Sequence, residues 1–319
     1  MNKRLALIDV WITLLLFLVI VGHCMFANAP IWYITLHGRI YSFHMAAFYF
    51  ICGFLVSYRY KPLDSFKEYT IYINKRLIKF GIPFLLFGIA LCICHAFIAS
   101  DYRMNTFLLG IKYLFLETTR SPAIYLWFIL VLFYYYILAP VFCQFGKYTI
   151  IPTIIIAIIL NFHPLPRLFC LHQFSRYLLF FILGILADHY ASILKKVPCV
   201  FSFISLPPFI ASICFADDYS LFLSVFSLPA LYCISHCLSK ISSIIVLSEF
   251  LSKRCFAIYL WQMIFIHILA IVIRPSRGPD CRYVFFLIMA VPFAIAGSLL
   301  ASWIVSYCWN KLLKCASLG

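Results

Sequence analysis

Apolar side chains run in long unbroken stretches along this chain, and short connectors between them carry most of the charge. Crossing a hydrocarbon core takes roughly 20 apolar residues in a helix. Segments that approach this length are 6–26, 41–58, 79–99, 122–143, 147–162, 176–193, 199–216, 219–238, 255–274 and 284–309. They predict an all-α, polytopic transmembrane helical bundle of about ten spans. The 147–162 run is short. The 199–216 run holds Pro207 and Pro208, which a span tolerates where neighbouring groups satisfy the freed carbonyls. Residues 104–116 and 241–251 are apolar but shorter, which suits interfacial or re-entrant helices. No repeat, low-complexity tract or linker divides the chain, so residues 1–319 read as a single membrane domain.

Composition names the solvent. Of 319 residues, 65% are hydrophobic and 11% charged, with a mean hydropathy of +1.03. A soluble globular chain is nearer 45–50% apolar and about 25% charged, because its surface must be covered with polar groups. The 14 cysteines lie mostly inside apolar runs and read as small packing residues rather than a disulfide framework. Cys233, His236 and Cys237 could share a helix edge, but no metal is expected.

The excess of 25 Lys+Arg over 10 Asp+Glu does not signal nucleic acid, since the bases are scattered through connectors rather than gathered on one face. It signals topology. With the N-terminus inside, the inner connectors hold most of the bases, and Lys112 is the lysine that falls outside. The 59–79 connector alone carries Arg59, Lys61, Lys67, Lys75, Arg76 and Lys79. An even number of spans then places both termini in the cytoplasm.

Ionisable groups at membrane depth cost on the order of 3 kcal/mol each on insertion scales, so those present need a reason. His23 closes the first apolar run and His44 lies near the start of the second. Both fall toward the outer ends of their helices, and Gly22 and Gly53 allow close helix approach. Two imidazoles could face one pocket, or each could bond a backbone carbonyl at the interface. Asp9 shares a helix face with His23 but lies about 21 Å from it along the axis, and an inner-connector base is its expected partner. Arg76 is either a positive-inside anchor or an anion clamp. Trp127, Tyr259 and Gln262 read as membrane aromatics and a buried amide able to donate to a neighbouring helix or a substrate.

Several of these landmarks occur in a recognisable order. Ile8-Asp9 is followed by Leu18-Val-Ile-Val-Gly-His23, then by Phe43-His-Met-Ala-Ala-Phe-Tyr-Phe-Ile-Cys-Gly-Phe-Leu55. Next come Lys75-Arg-Leu-Ile-Lys-Phe-Gly-Ile-Pro83, Leu126-Trp-Phe-Ile129, Arg176-Tyr-Leu-Leu-Phe-Phe-Ile-Leu-Gly184 and Phe256-Ala-Ile-Tyr-Leu-Trp261. The chain resembles the membrane-bound acyltransferase 3 family, in particular its fucose 4-O-acetylase-like and surface-polysaccharide O-acetyltransferase members. It departs from them at Ile12, where a basic residue is usual, at Ala46 and Cys52, which replace Pro and Ser, and at Gln262, which replaces His.

The resemblance implies a multi-pass protein of a bacterial cell (inner or plasma) membrane. It implies transfer of an acetyl group from cytoplasmic acetyl-CoA to a sugar hydroxyl of a cell-surface or lipid-linked glycan. On that reading His23 is the general base or acyl carrier, with His44 assisting it. Arg76 and Lys75 bind the phosphates of CoA, and Trp127, Tyr259 and Gln262 face the substrate. The partners are the saccharide acceptor and membrane lipids. The alternative is a polytopic transporter or flippase of a glycan or other anionic small molecule.

Overall fold

The computed structural model describes residues 3–26, 29–98, 104–144, 146–190, 203–215, 221–275 and 280–316. Every regular element among them is helical: α1 (Lys3–Gly22), α2 (Ile31–Tyr41), α3 (His44–Tyr58), α4 (Phe66–Arg76), α5 (Ile82–Ile98), α6 (Met104–Leu116), α7 (Trp127–Gln144), α8 (Gly146–Phe162), α9 (Leu171–His189), α10 (Leu206–Phe215), α11 (Leu221–Leu238), α12 (Ser242–Ser252), α13 (Cys255–Ile273) and α14 (Asp280–Ala316). Residues 99, 191–193, 199–202, 216 and 219–220 of the expected spans lie outside the described residues.

Seven helical stretches among the described residues are long and apolar enough to cross a membrane: Ile31–Tyr58, Phe66–Phe97, Ile124–Gln144, Leu168–His189, Leu221–Leu238, Cys255–Ile273 and Asp280–Cys308. Ala6–Gly22, Thr106–Leu116, Tyr148–Phe162 and Ser242–Ser252 are apolar but shorter. Seven such stretches stand against the about ten expected, and several boundaries differ, two of them by ten residues or more. The stretch expected over 41–58 starts at Ile31, because α2 buries Tyr33 and Ile40 and so carries His37 and Arg39 along within a packed helix. The stretch expected from residue 79 starts at Phe66. There Ser65 accepts from the Glu68 N–H, while the Glu68 carboxylate accepts from the Asp64 N–H, which is a reciprocal cap.

Large apolar side chains such as Leu86, Ile151, Ile271, Val272 and Ile288 are exposed along these helices. A water-soluble surface does not present such a band, and lipid accepts it. At 37 residues, α14 would be about 55 Å long, well beyond the roughly 30 Å hydrocarbon core.

The chain forms two compact units, residues 1–48 with 197–319, and residues 49–196. In the first, α1 packs against α2 and α11–α14. Its core joins Leu16, Ile20, Cys24, Tyr33, Ile258, Ile266, Tyr283 and Phe286. Asp9 accepts a hydrogen bond from the Ser252 hydroxyl on α12 at 2.6 Å.

In the second unit, α9 packs on α7 and α8, and α6 on α5. A Cβ added to Gly53 would meet the Phe181 carbonyl, and one added to Gly184 would meet that of Phe50. The paired glycines therefore let the helices cross backbone to backbone, with dispersion rather than hydrophobic transfer as the attraction. Two prolines shape the α4–α5–α7 region. Pro83 has no N–H to give Lys79, and the preceding turn, Leu77–Gly81, winds as a π-helix. Pro140 likewise leaves the Tyr136 carbonyl without a helical donor, and the Tyr72 hydroxyl donates to it at 3.1 Å.

Candidate functional site

The site in the first unit is built around the way α1 ends. The last carbonyls of a helix have no partner within it, and at membrane depth water cannot serve them. Here the His23 N–H donates to Val19 and Ile20, and the Cys24 N–H donates to Val21. The Tyr33 hydroxyl donates to the Val21 carbonyl, and the Tyr283 hydroxyl donates to that of Cys24 at 2.7 Å. Tyr33 and Tyr283 also lie ring to ring, with centroids 4.8 Å apart. The chain is therefore turned out of α1 by two tyrosines from other helices, and His23 sits at the turn, half-buried.

The second histidine is held from below by its own backbone. His44 begins α3 and is 2% exposed, and its Nδ1 lies 2.6 Å from the Ile40 carbonyl oxygen. A carbonyl only accepts, so Nδ1 carries the proton. In the neutral ring Nε2 is then a bare lone pair. The turn before His44 is fixed too: Ser42 Oγ donates to the Arg39 carbonyl at 2.6 Å, and Ser224 Oγ of α11 donates to the Ser42 carbonyl at 3.0 Å.

Tyr41 joins the two. Its ring lies 4.8 Å from that of His44, edge to face, and stacks on His37 at 4.2 Å. It also lies so close to Gly22 that a Cβ there would come within 2.8 Å of its Cε2. His44, His37 and His267 are all within electrostatic range of His23. On α13, Gln262 is fully buried, and its Nε2–H donates to His23 Nδ1 at 3.2 Å. Tyr259 is buried one turn earlier on that helix. Among the described residues no group of three His, Cys, Asp or Glu side chains is placed to hold a metal ion.

The structure thus places Gln262 against His23 and Tyr41 against His44, with His44 within electrostatic range of His23. His44 offers a lone pair. His23, accepting at Nδ1, carries its proton on Nε2 and offers an N–H. Such a pairing can take a proton from one atom and stabilise negative charge on another.

Residues 6–307 match the family of acyltransferase domains designated acyltransferase 3. The chain belongs to the acyltransferase 3 family. No curated protein and no solved structure matches it. As an acyltransferase 3 protein it is a multi-pass membrane acyltransferase.

The other residues singled out from this acyltransferase sequence belong to the second unit. Arg76 closes α4 with its guanidinium 4.4 Å from the Tyr136 ring centroid and 5.0 Å from that of Tyr72, within cation–π range of both. Lys75 beside it is exposed. Trp127 is half-buried and stacks on Tyr177 at 5.9 Å, in a cluster with Tyr49 and Phe128. Sequence reasoning missed Tyr41, His37 and His267. The signal for two of them was available, since residues 37, 41 and 44 follow the i, i+4, i+7 spacing of one helix face. His267 had no such mark.

Proposed function

We propose that this acyltransferase moves an acetyl group from acetyl-CoA, on the cytoplasmic side of a bacterial inner or plasma membrane, to a sugar hydroxyl of a cell-surface or lipid-linked glycan. The observation that carries the reading is the fixed proton on His44: with Nδ1–H bound to the Ile40 carbonyl, its Nε2 is ready to accept a proton. A sugar hydroxyl is a poor nucleophile until a base removes its proton, and neutral imidazole suits that role near pH 7.

The acceptor oxygen bonds to the acetyl carbonyl carbon as its proton passes to His44 Nε2. The carbonyl oxygen becomes an oxyanion, stabilised by the N–H of His23. The intermediate collapses with cleavage of the carbon–sulfur bond, and the CoA thiolate takes the proton from His44. This exchanges the roles that the sequence suggested, with His44 as the base and His23 as its partner. Arg76 and Lys75 are assigned to the CoA phosphates, for which a guanidinium fork and an exposed ammonium are suited. Tyr259, buried one turn before Gln262 on the same helix, is assigned to the acceptor.

The test is mass spectrometry of surface and lipid-linked glycans from cells with and without the gene. An acetyl-sized mass difference that is restored by the wild-type gene and not by a His44→Asn gene is expected. An identical glycan profile, or substrate movement indifferent to acetyl-CoA, would instead favour a transporter.

A further inference from the structure

Gln262, on α13, reaches His23 and is buried without residual exposure. Its Nε2 is engaged with His23 Nδ1, while its Oε1 is buried with no hydrogen-bond partner. A core position that keeps an amide with half its capacity unused is retaining it against a penalty, since an orphaned buried acceptor is unfavourable. The residues one turn away on either side along the helix, Ile258 and Ile266, are apolar and fully buried, so leucine would suit this helix face on packing grounds alone. The half of the amide in use has one target, the ring nitrogen of His23.

We infer that Gln262 is a positioning residue for His23: its amide N–H holds the ring by Nδ1, sets the Nε2–H tautomer, and so makes His23 a hydrogen-bond donor beside the lone pair of His44. The inference rests on the acyl-transfer reading for its kinetic consequence, though not for its structural one. An amide suits the task because it does not titrate. A carboxylate at the same place offers only acceptors when ionised, and the histidine that Gln262 replaces can gain or lose a proton, whereas the amide keeps its N–H at every pH. The His44 tautomer needs no such residue, since a backbone carbonyl dictates it. One half of the pair is therefore set by main chain, and the other meets a side-chain amide.

The experiment compares wild type with Gln262→Leu and Gln262→Glu in lipid nanodiscs, by two readouts. The first is ¹⁵N NMR of histidine-labelled protein, with the His23 signals identified by their loss in His23→Asn. Wild type should show His23 with the proton on Nε2, Gln262→Leu a mixture of tautomers, and Gln262→Glu the proton on Nδ1, because a carboxylate only accepts. The second is acetyl transfer. Gln262→Leu should lower kcat by about 100-fold with KM for acetyl-CoA unchanged, the scale expected when a catalytic group loses its alignment. Leucine removes the orphaned oxygen as well as the bond to His23, so the melting temperature of Gln262→Leu should stay close to wild type, and thermal unfolding measured on the same preparation separates lost turnover from unfolding.

A wild-type-like His23 tautomer in Gln262→Leu overturns the inference, as does a kcat within twofold of wild type. If wild-type protein transfers no acetyl group, the proposed function falls, and the NMR comparison still decides whether Gln262 sets the His23 tautomer.

Discussion

Replacing His44 with asparagine separates the two things this residue does. Its Nδ1–H donates to the Ile40 carbonyl at 2.6 Å, and its Nε2 is the proposed base. The asparagine amide N–H occupies nearly the place of Nδ1–H and can keep the bond to Ile40, but nothing in asparagine replaces the Nε2 lone pair. General base catalysis by a placed side chain is worth about 10²–10⁴-fold, which is roughly 3–5 kcal/mol on the barrier. His44→Asn should therefore lose between about a hundredfold and ten-thousandfold in kcat, while the melting temperature in detergent stays close to wild type. His44→Leu should lose the same activity and also about 1 kcal/mol of stability, the net worth of a neutral hydrogen bond. The assay is transfer of labelled acetyl from acetyl-CoA to glycan in inverted vesicles, with thermal unfolding measured on the same preparations. A His44→Asn protein that is folded and keeps more than a tenth of wild-type kcat would refute the assignment.

Other predictions follow from the surrounding structure. Tyr283→Phe removes the donor to the Cys24 carbonyl and should cost about 1–3 kcal/mol, seen as a lower melting temperature together with slower transfer, because His23 is held by that turn. Gly53→Leu or Gly184→Leu should destabilise the second unit by about 1–3 kcal/mol or more, since the new side chain meets the backbone of the opposing helix, and limited proteolysis of that unit would report it. Tyr72→Phe should cost about 1–2 kcal/mol in wild type and markedly less in a Pro140→Ala background, where residue 140 regains an N–H for the Tyr136 carbonyl. A double-mutant cycle with equal costs in both backgrounds would rule out that account. Arg76→Ala should raise KM for acetyl-CoA about tenfold or more with little change in kcat, and an unchanged KM would remove Arg76 from the CoA site.

The helical membrane class was legible in the sequence because it depends on composition and run length alone: residues 255–274 can cross a bilayer whatever they pack against, and the structure has that helix at Cys255–Ile273. The family was legible because its motifs keep their chain order, from Gly22-His23 to Tyr259-Leu-Trp261. The limits of several spans were not. His37 and Arg39 look like the end of an apolar run until tertiary packing buries the Tyr33 and Ile40 beside them.

The same division runs through the site. That His23 and His44 need a reason to be where they are could be read from their cost at membrane depth, a property of the residue and its place in the run. Which nitrogen of each holds a proton could not, because a tautomer is decided by the group facing the ring. For His44 that group is a carbonyl four residues away, and for His23 it is an amide 239 residues away. Sequence determined the solvent, the elements and the chemically costly residues. Only the folding of α13 against the end of α1 decided what those residues have to face, since hydrogen-bond partners are chosen by proximity in space and not by order along the chain.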